Sequence, residues 1–161
     1  MIHIEPLSTD RFDEFFRLIC ALAEYEQLDP PDDQARQRLY DDALERQPPR
    51  YRALLALDGH VVCGYCIYLE TYSSFLARPT LYVEDIFILP AWRGKGIGRM
   101  LMRTLAQIAM QQGCGRMEWI VLDWNEPAHR FYQAIGARQL DQWKLYRLEG
   151  KTLARLANAG E

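Results

Sequence analysis

The sequence predicts an α/β protein in which helices flank a mixed, mostly antiparallel sheet. Two observations favour this class. Strand-like segments with short hairpin connections fill the first half of the chain, and strand–helix–strand crossovers fill the second half. The predicted order of elements is β-α-α-β-β-β-α-β-α-β. The length of 161 residues suits one hydrophobic core, so we expect a single domain over residues 1–161.

The first half of the chain is predicted to form three strands and two helices. The strands are predicted at residues 2–4, 51–57 and 61–70, and the helices at residues 12–23 and 33–46. The first helix is amphipathic, because its apolar residues recur at spacings of three and four. Pro30 and Pro31 break the chain before the second helix, which is polar. The Asp58-Gly59 dipeptide favours a tight hairpin turn between the second and third strands.

The second half of the chain alternates strands with helices. The strands are predicted at residues 81–89, 117–122 and 140–148, and the helices at residues 97–109, 126–135 and 151–157. Residues 72–80 are predicted to form a loop. The apolar stripe of the helix at residues 97–109 is clear, and Gly113 and Gly115 end it.

The composition is that of an ordinary globular protein that does not bind nucleic acid. Hydrophobic residues make up 49% of the chain, charged residues 25%, and the formal net charge is −3. No basic footprint for nucleic acid is present. No apolar run approaches the roughly 18 residues that span a bilayer, and the N-terminal stretch lacks the pattern of a signal peptide. We therefore expect a cytoplasmic protein without membrane contacts.

The cysteine and histidine residues predict no metal site. Cys63 and Cys66 have the spacing of a redox or zinc motif, but they lie in a predicted strand, where residues three apart point to opposite faces. Packed, reduced thiols are the expectation. The three histidines are far apart in the sequence and form no ligand motif.

The stretch ILPAWRGKGIGRML, residues 88–101, places three glycines and three cations between a strand and a helix. A Walker A loop would end in Lys-Ser or Lys-Thr, and a dinucleotide fingerprint would read G-x-G-x-x-G; neither is present. A plain turn into the helix is an alternative. The combination of glycines, cations and a helix N-terminus favours an anion site that suits a pyrophosphate.

These residues carry a family resemblance. Arg93-x-x-Gly96-x-Gly98, after a strand and at the start of a helix, resembles the acetyl-coenzyme A signature of the GNAT N-acetyltransferases, and the element order is also theirs. The stretches LAEYE, LYVEDIFI, WRGKGIG and LDWNEPAHRFYQAIGA resemble the diamine branch of that family, the spermidine/spermine and thialysine acetyltransferases. The resemblance covers nearly the whole chain.

The resemblance implies that the turn binds acetyl-coenzyme A. The backbone amides of residues 94–99 would meet its phosphates, and the backbone of residues 86–88 would meet the pantetheine arm. Asn125 matches a position that touches the coenzyme, although it also suits the N-cap of the next helix. The predicted coenzyme contacts are Ile86, Phe87, Ile88, Arg93, Gly94, Lys95, Gly96, Ile97, Gly98, Arg99, Asn125, Glu126, Pro127 and Ala128.

Two residues match the family's catalytic positions. Glu84 matches an acidic residue at the amine site, and Tyr132 matches the proposed general acid. Adjacent strand residues face opposite sides, so only one of Glu84 and Asp85 can point into a given cleft, and we predict Glu84. Alternatively, Glu84 and Asp85 are both ordinary surface carboxylates, and Tyr132 is an aromatic residue that only packs. A phenol is protonated at pH 7 and can donate a proton to a leaving thiolate.

The acceptor channel is predicted to be acidic. The predicted acceptor contacts are Tyr25, Glu26, Glu84, Glu118, Trp119 and Ile120. Glu24 and Asp123 could extend an acidic channel for a polycation, or they could be ordinary surface carboxylates. The loop before Trp143 is shorter than is usual in the family and keeps only Asp141 as a carboxylate.

Together these features predict an enzyme that moves acetyl from acetyl-coenzyme A to a primary amine. A polyamine, diamine or lysine-like small molecule is the leading acceptor, with direct attack through a tetrahedral intermediate. Transfer to a protein or peptide amine and a non-catalytic sensor of acetyl-coenzyme A are the alternatives. The resemblance also implies a homodimer.

Overall fold

A computed structural model describes residues 1–159 of the chain. Contacts between residues divide the chain into two compact units. The larger unit, Met1–Ile120, contains the whole sheet, and the smaller unit begins at Val121. The single domain expected over residues 1–161 stays a prediction.

Five strands form one sheet, in the order β1-β2-β3-β4-β5. They are β1 (Ile2–Pro6), β2 (Arg52–Asp58), β3 (Val61–Ser73), β4 (Arg78–Ile88) and β5 (Arg116–Glu118). The first three neighbouring pairs are antiparallel, whereas β4 and β5 are parallel because a helical crossover connects them. The predicted mixed, mostly antiparallel sheet is confirmed. Gly59, with a φ of 61°, turns the chain between β2 and β3 as the Asp58-Gly59 dipeptide predicts.

Five α-helices accompany the sheet in the described part of the chain. They are α1 (Phe12–Tyr25), α2 (Asp33–Tyr40), α3 (Ile97–Gln111), α4 (Glu126–Ala134) and α5 (Gly150–Ala157). The positions of α1 and α3 confirm the two helices that the apolar spacing predicts. The Asp32 carboxylate caps α2 by accepting a hydrogen bond of 2.8 Å from the Ala35 amide. The predicted polar helix to about residue 46 is α-helical only to Tyr40 and continues as one π-helical turn.

The hydrophobic core holds α1 against the sheet. The apolar stripe of α1 buries Phe12, Phe15, Leu18 and Ile19. It packs against every second residue of the neighbouring strands, including Phe87 of β4. This alternation is the period-two face of a strand. The apolar stripe of α3 is buried as well, so both helices that lead into the candidate site are fixed by packing.

The strand predicted at residues 140–148 does not form. Trp143, Leu145 and Tyr146 have exposed fractions of 77%, 70% and 92%, and the described residues include no strand paired with this segment. The Trp143 amide instead donates a turn hydrogen bond of 3.2 Å to the carbonyl of Leu140. Alternation of side chains is not sufficient for a strand, because the backbone groups also need a partner edge. The prediction was wrong for that reason.

Two other boundaries differ from the predictions. The loop expected at residues 72–80 is short, because β3 and β4 stay paired up to Ser73 and Arg78. The hydroxyl of Ser73 helps to close this hairpin by accepting a hydrogen bond of 3.2 Å from the Leu76 amide. The strand predicted at residues 117–122 is only three residues long and ends at Glu118.

Candidate active site

The turn that leads into α3 has a backbone that favours glycine. Gly94 and Gly96 have φ angles of 76° and 80°, in the left-handed region that other residues rarely adopt. Gly96 is the N-cap of α3, and its carbonyl accepts a hydrogen bond of 3.0 Å from the Met100 amide. A Cβ at Gly94 or Gly96 would meet no atom within 4 Å, so backbone conformation selects glycine at both positions.

The electrostatics of this turn suit an anion. The first amides of α3 point out of the helix without intrahelical acceptors, and the first turn of α3 contains no acidic residue. Arg93, Lys95 and Arg99 are exposed around it. The predicted phosphate site therefore has its glycine backbone, helix terminus and cations within one short segment of the fold.

Trp92 anchors this turn to the end of β2. Its indole N–H donates a hydrogen bond of 3.4 Å to the Asp58 carboxylate, and the Lys95 ammonium lies 5.7 Å from the centre of its ring. Trp92 is half-buried and connects the turn to the β2–β3 hairpin.

The second half of β4 is open along one edge. Val83 and residues 85–88 pair with β3 on one side, but β5 pairs with β4 only from Thr80 to Tyr82. The structure describes no strand on the other side of residues 83–88. Backbone groups on such an edge are available to an extended ligand. This is the segment for which backbone contacts to the pantetheine arm are predicted.

A β-bulge in β4 occurs at Glu84. Ile67 of β3 faces Asp85, whereas the next residue, Tyr68, faces Val83, so Glu84 is the extra residue. The Glu84 side chain is exposed and that of Asp85 is half-buried. Bulges change the direction in which side chains point, and this one separates two carboxylates that the sequence places next to each other.

The fold perturbs the carboxyl group of Asp85. The hydroxyl of Tyr65, a buried residue of β3, donates a hydrogen bond of 3.4 Å to Asp85 Oδ2. Burial, followed by the negative charges of Glu84 and Glu26, raises the pKa of Asp85 to about 6. The sequence pattern predicts Glu84 as the site carboxylate and gives no signal for Tyr65. The Tyr65–Asp85 contact depends on strand register, which no local pattern indicates.

The end of α1 lies beside this part of β4. The ring centres of Tyr25 and Phe87 are 6.4 Å apart. Glu26 is the C-cap of α1, and partial burial raises its pKa. Since the charge of Glu26 also acts on Asp85, three carboxyl groups from two elements share one region of negative potential: Glu26, Glu84 and Asp85.

Arg93 joins the glycine turn to the end of α1. Its guanidinium carbon lies 4.9 Å from the ring centre of Tyr25 and 5.6 Å from that of Phe87. Arg93 Nε also donates a hydrogen bond of 3.0 Å to the carbonyl of Ile88. Arg93 is a predicted coenzyme contact, whereas its contact with Tyr25 has no signal in the sequence.

The other predicted acceptor contacts of the larger unit lie on and after β5. Glu118 forms an ion pair of 2.8 Å with Arg116, which reduces its contribution to an acidic channel. Trp119 is half-buried and Ile120 is exposed. Glu24 is exposed on α1. Their contacts with an acceptor stay predictions.

The smaller unit contains the predicted general acid. Asn125 Oδ1 accepts a hydrogen bond of 3.4 Å from the Ala128 amide, so the predicted N-cap of α4 is confirmed, with Pro127 in its first turn. Tyr132 is half-buried, its ring centre is 5.2 Å from that of Phe131, and burial raises its pKa to about 12. Tyr132 therefore keeps its proton at neutral pH, as a general acid requires.

Residues 12–137 match the sequence profile of the Acetyltransferase (GNAT) family, which covers most of the chain. The chain belongs to the GNAT acetyltransferase family. It is 36% identical to a thialysine N-epsilon-acetyltransferase of Bos taurus over 88% of each chain. It is 43% identical to the L-ornithine N5-acetyltransferase NATA1 of Arabidopsis thaliana over 60% of this chain, which spans 42% of the plant protein. Among solved structures, an integron cassette protein from Vibrio cholerae has a TM-score of 0.82, with 26% identity over 98% of each chain.

Membership of the GNAT family confirms the predicted class of enzyme. GNAT proteins take acetyl from acetyl-coenzyme A, and this GNAT protein is an acetyl-coenzyme A-dependent N-acetyltransferase that acts on amines. The five-stranded sheet with its glycine turn is the fold that the resemblance implies. The roles of individual residues in this GNAT protein stay predictions.

The described residues of this GNAT protein contain no metal site formed by thiols, imidazoles and carboxylates. Within residues 1–159, no group of three or more His, Cys, Asp or Glu could hold a metal ion. All four cysteines are free thiols, and burial raises the pKa of Cys66 to about 12. No helix in the described part is long and apolar enough to cross a membrane.

Proposed function

We propose that this enzyme acetylates the primary amine of a small acceptor that carries a second positive charge, namely a diamine, a polyamine or a lysine-like molecule. The observation that carries the proposal is the carboxyl cluster formed by Glu26, Glu84 and Asp85. Burial, followed by the negative charges of Glu84 and Glu26, raises the pKa of Asp85, so a bound cation would relieve an existing repulsion. The relatives named for thialysine and ornithine, both diamino acids, support the same acceptor class.

The cluster suits the first chemical requirement, which is loss of a proton from the acceptor. An alkylammonium with a pKa near 10 is only about 0.1% neutral at pH 7. We propose that Glu84, which the bulge leaves exposed at the edge of β4, accepts this proton directly or through water. Asp85 and Glu26 then hold the negative potential that draws the cationic acceptor to this edge.

The open edge of β4 suits the second requirement, which is alignment of the thioester. Acetyl-coenzyme A supplies the activated acetyl group. We propose that backbone groups of residues 86–88 hold its pantetheine arm, while the amides of residues 94–99 hold its phosphates. The acceptor nitrogen then attacks the thioester carbonyl directly, and the tetrahedral intermediate collapses as the carbon–sulfur bond breaks.

Tyr132 suits the last requirement, which is protonation of the leaving thiolate. The raised pKa of its phenol keeps the proton available. A thiol with a pKa near 8.5 is already a fair leaving group, so the expected contribution is about 10²-fold at most. We propose Tyr132 as the general acid on this basis.

The test is steady-state turnover with an amine panel. The purified enzyme and acetyl-coenzyme A are mixed with diamines, with monoamines of equal length, and with peptides that offer a lysine or N-terminal amine, and release of free thiol is followed. Preferred turnover of diamines supports the proposal. Preferred turnover of peptides would favour a protein acetyltransferase, and tight coenzyme binding without turnover on any amine would favour a sensor.

The predicted assembly and location need separate measurements. Light scattering after size exclusion should give twice the chain mass if the protein is a homodimer. Fractionation of the source cells would test the expected cytoplasmic location.

A further inference from the structure

Arg93 contacts three separate parts of the larger unit. It directly follows the 3-10 turn Pro90–Trp92 and precedes Gly94, so it belongs to the predicted coenzyme turn. Its Nε donates to the carbonyl of Ile88 at the end of β4. Its guanidinium lies over the ring of Tyr25, the last residue of α1.

The contact with Tyr25 reaches the acceptor side of the proposed site. Tyr25 is followed at once by Glu26, one of the three carboxyl groups that define the negative potential of the cluster. Phe87 supports the same guanidinium from β4 at 5.6 Å. A planar guanidinium that packs on neighbouring tyrosine and phenylalanine rings restricts where both rings can move.

We propose that Arg93 is a positioning residue for the acceptor, acting through Tyr25, so that coenzyme binding and acceptor binding are coupled. The part of this inference that concerns the acceptor rests on the proposed function, whereas the part that concerns acetyl-coenzyme A does not. When the phosphates of acetyl-coenzyme A bind to the turn, they restrict its motion. The guanidinium of Arg93 extends this restriction to the last turn of α1. The transmitted order holds Tyr25 and Glu26 at the acceptor cluster.

Kinetics of Arg93→Gln provide the first test. Glutamine keeps a donor for the Ile88 carbonyl but loses the cation over the rings. The acceptor KM should rise about three- to tenfold, while kcat at saturating acceptor stays within about twofold of wild type. Arg93→Lys keeps a cation and should recover part of the loss. The matched control is Arg103→Gln on α3, an exposed arginine outside the predicted site, which should leave KM unchanged.

A double-mutant cycle tests whether Arg93 acts through Tyr25. Tyr25→Leu removes the ring, and in that background Arg93→Gln should no longer change the acceptor KM. Tyr25→Phe keeps the ring and should preserve the effect of Arg93→Gln. An equal rise in KM in the Tyr25→Leu background would overturn the proposal, because Arg93 would then act without Tyr25.

Hydrogen exchange tests the coupling without any acceptor. Acetyl-coenzyme A should slow amide exchange over residues 22–28 in the wild type and in Arg103→Gln, but several-fold less in Arg93→Gln saturated with coenzyme. Equal slowing in Arg93→Gln would overturn the coupling. Since this measurement needs no amine, it separates failure of the Arg93 proposal from failure of the diamine proposal.

Discussion

Asp85→Asn tests the electrostatics of the site through protein stability. The substitution keeps the shape of the side chain and an acceptor for the Tyr65 hydroxyl, but it removes the ionisable group. A folded-state pKa of about 6 is roughly two units above that of an unfolded aspartate. Ionised Asp85 therefore costs the folded state about 3 kcal/mol relative to its neutral form.

The sign of the pH effect follows from the raised pKa. Stability contributed by protonated Asp85 is fully present below pH 4 and is lost as the pH rises through 6. Between pH 8 and pH 5 the wild type should gain roughly 1 to 2 kcal/mol from this group, and the Asn variant should gain nothing from it. The free energy of unfolding of the Asn variant should therefore exceed that of the wild type by more at pH 8 than at pH 5.

Urea denaturation of both proteins at both pH values measures this difference. Groups far from Asp85 titrate equally in the two proteins, so comparing the variant with the wild type isolates Asp85 together with its coupling to Glu84 and Glu26. Glu70→Gln, at an exposed carboxylate of β3, is the matched control and should show no such pH-dependent difference. If the wild type and Asp85→Asn differ by the same amount at pH 5 and pH 8, the assignment of a buried, perturbed carboxyl is refuted. In the diamine assay, the same variant should have lower kcat/KM.

Three further outcomes follow from the site. Gly96→Val places a β-branched residue at a φ of 80°. Calorimetry with the folded variant should show that acetyl-coenzyme A binds at least tenfold more weakly. An unchanged affinity would contradict the phosphate role of the turn. Tyr132→Phe should lower kcat by up to about 100-fold and leave coenzyme affinity unchanged; an unaltered kcat would make Tyr132 a packing residue. Diamines should have a higher kcat/KM than matched monoamines, by a factor that shrinks from low to physiological salt. Glu26→Gln should lower kcat/KM more for diamines, whereas Glu84→Gln should lower it for both amine types. Equal rates for diamines and monoamines at low salt would contradict the acidic channel.

Elements with local signals could be predicted from the sequence. The apolar stripes of α1 and α3 specify which face each helix buries, and the Asp58-Gly59 dipeptide specifies the β2–β3 turn. The glycines at positions 94 and 96 anticipate a left-handed backbone that other residues avoid. Such features depend on residues close together in the chain, so a linear pattern is enough to predict them.

Features that need a distant partner could not be predicted in this way. Residues 140–148 alternate like a strand, yet a strand also needs a neighbouring edge, and none pairs with this segment in the described structure. The boundary between β3 and β4 likewise depends on how far two segments stay paired. Pairing is a property of both partners, and one segment's pattern does not contain it.

The chemistry of the site likewise combines features that a local sequence pattern predicts with features that depend on distant segments of the chain. The sequence by itself determined the family, the glycine turn and the identity of the carboxylates at positions 84 and 85. Only the tertiary structure decided that a bulge exposes the side chain of Glu84 and that burial raises the pKa of Asp85, which accepts a hydrogen bond from Tyr65. The stacking of Arg93 on Tyr25 was decided in the same way. A side chain's charge state and contacts depend on the groups packed around it, and here those groups come from segments far apart in the chain.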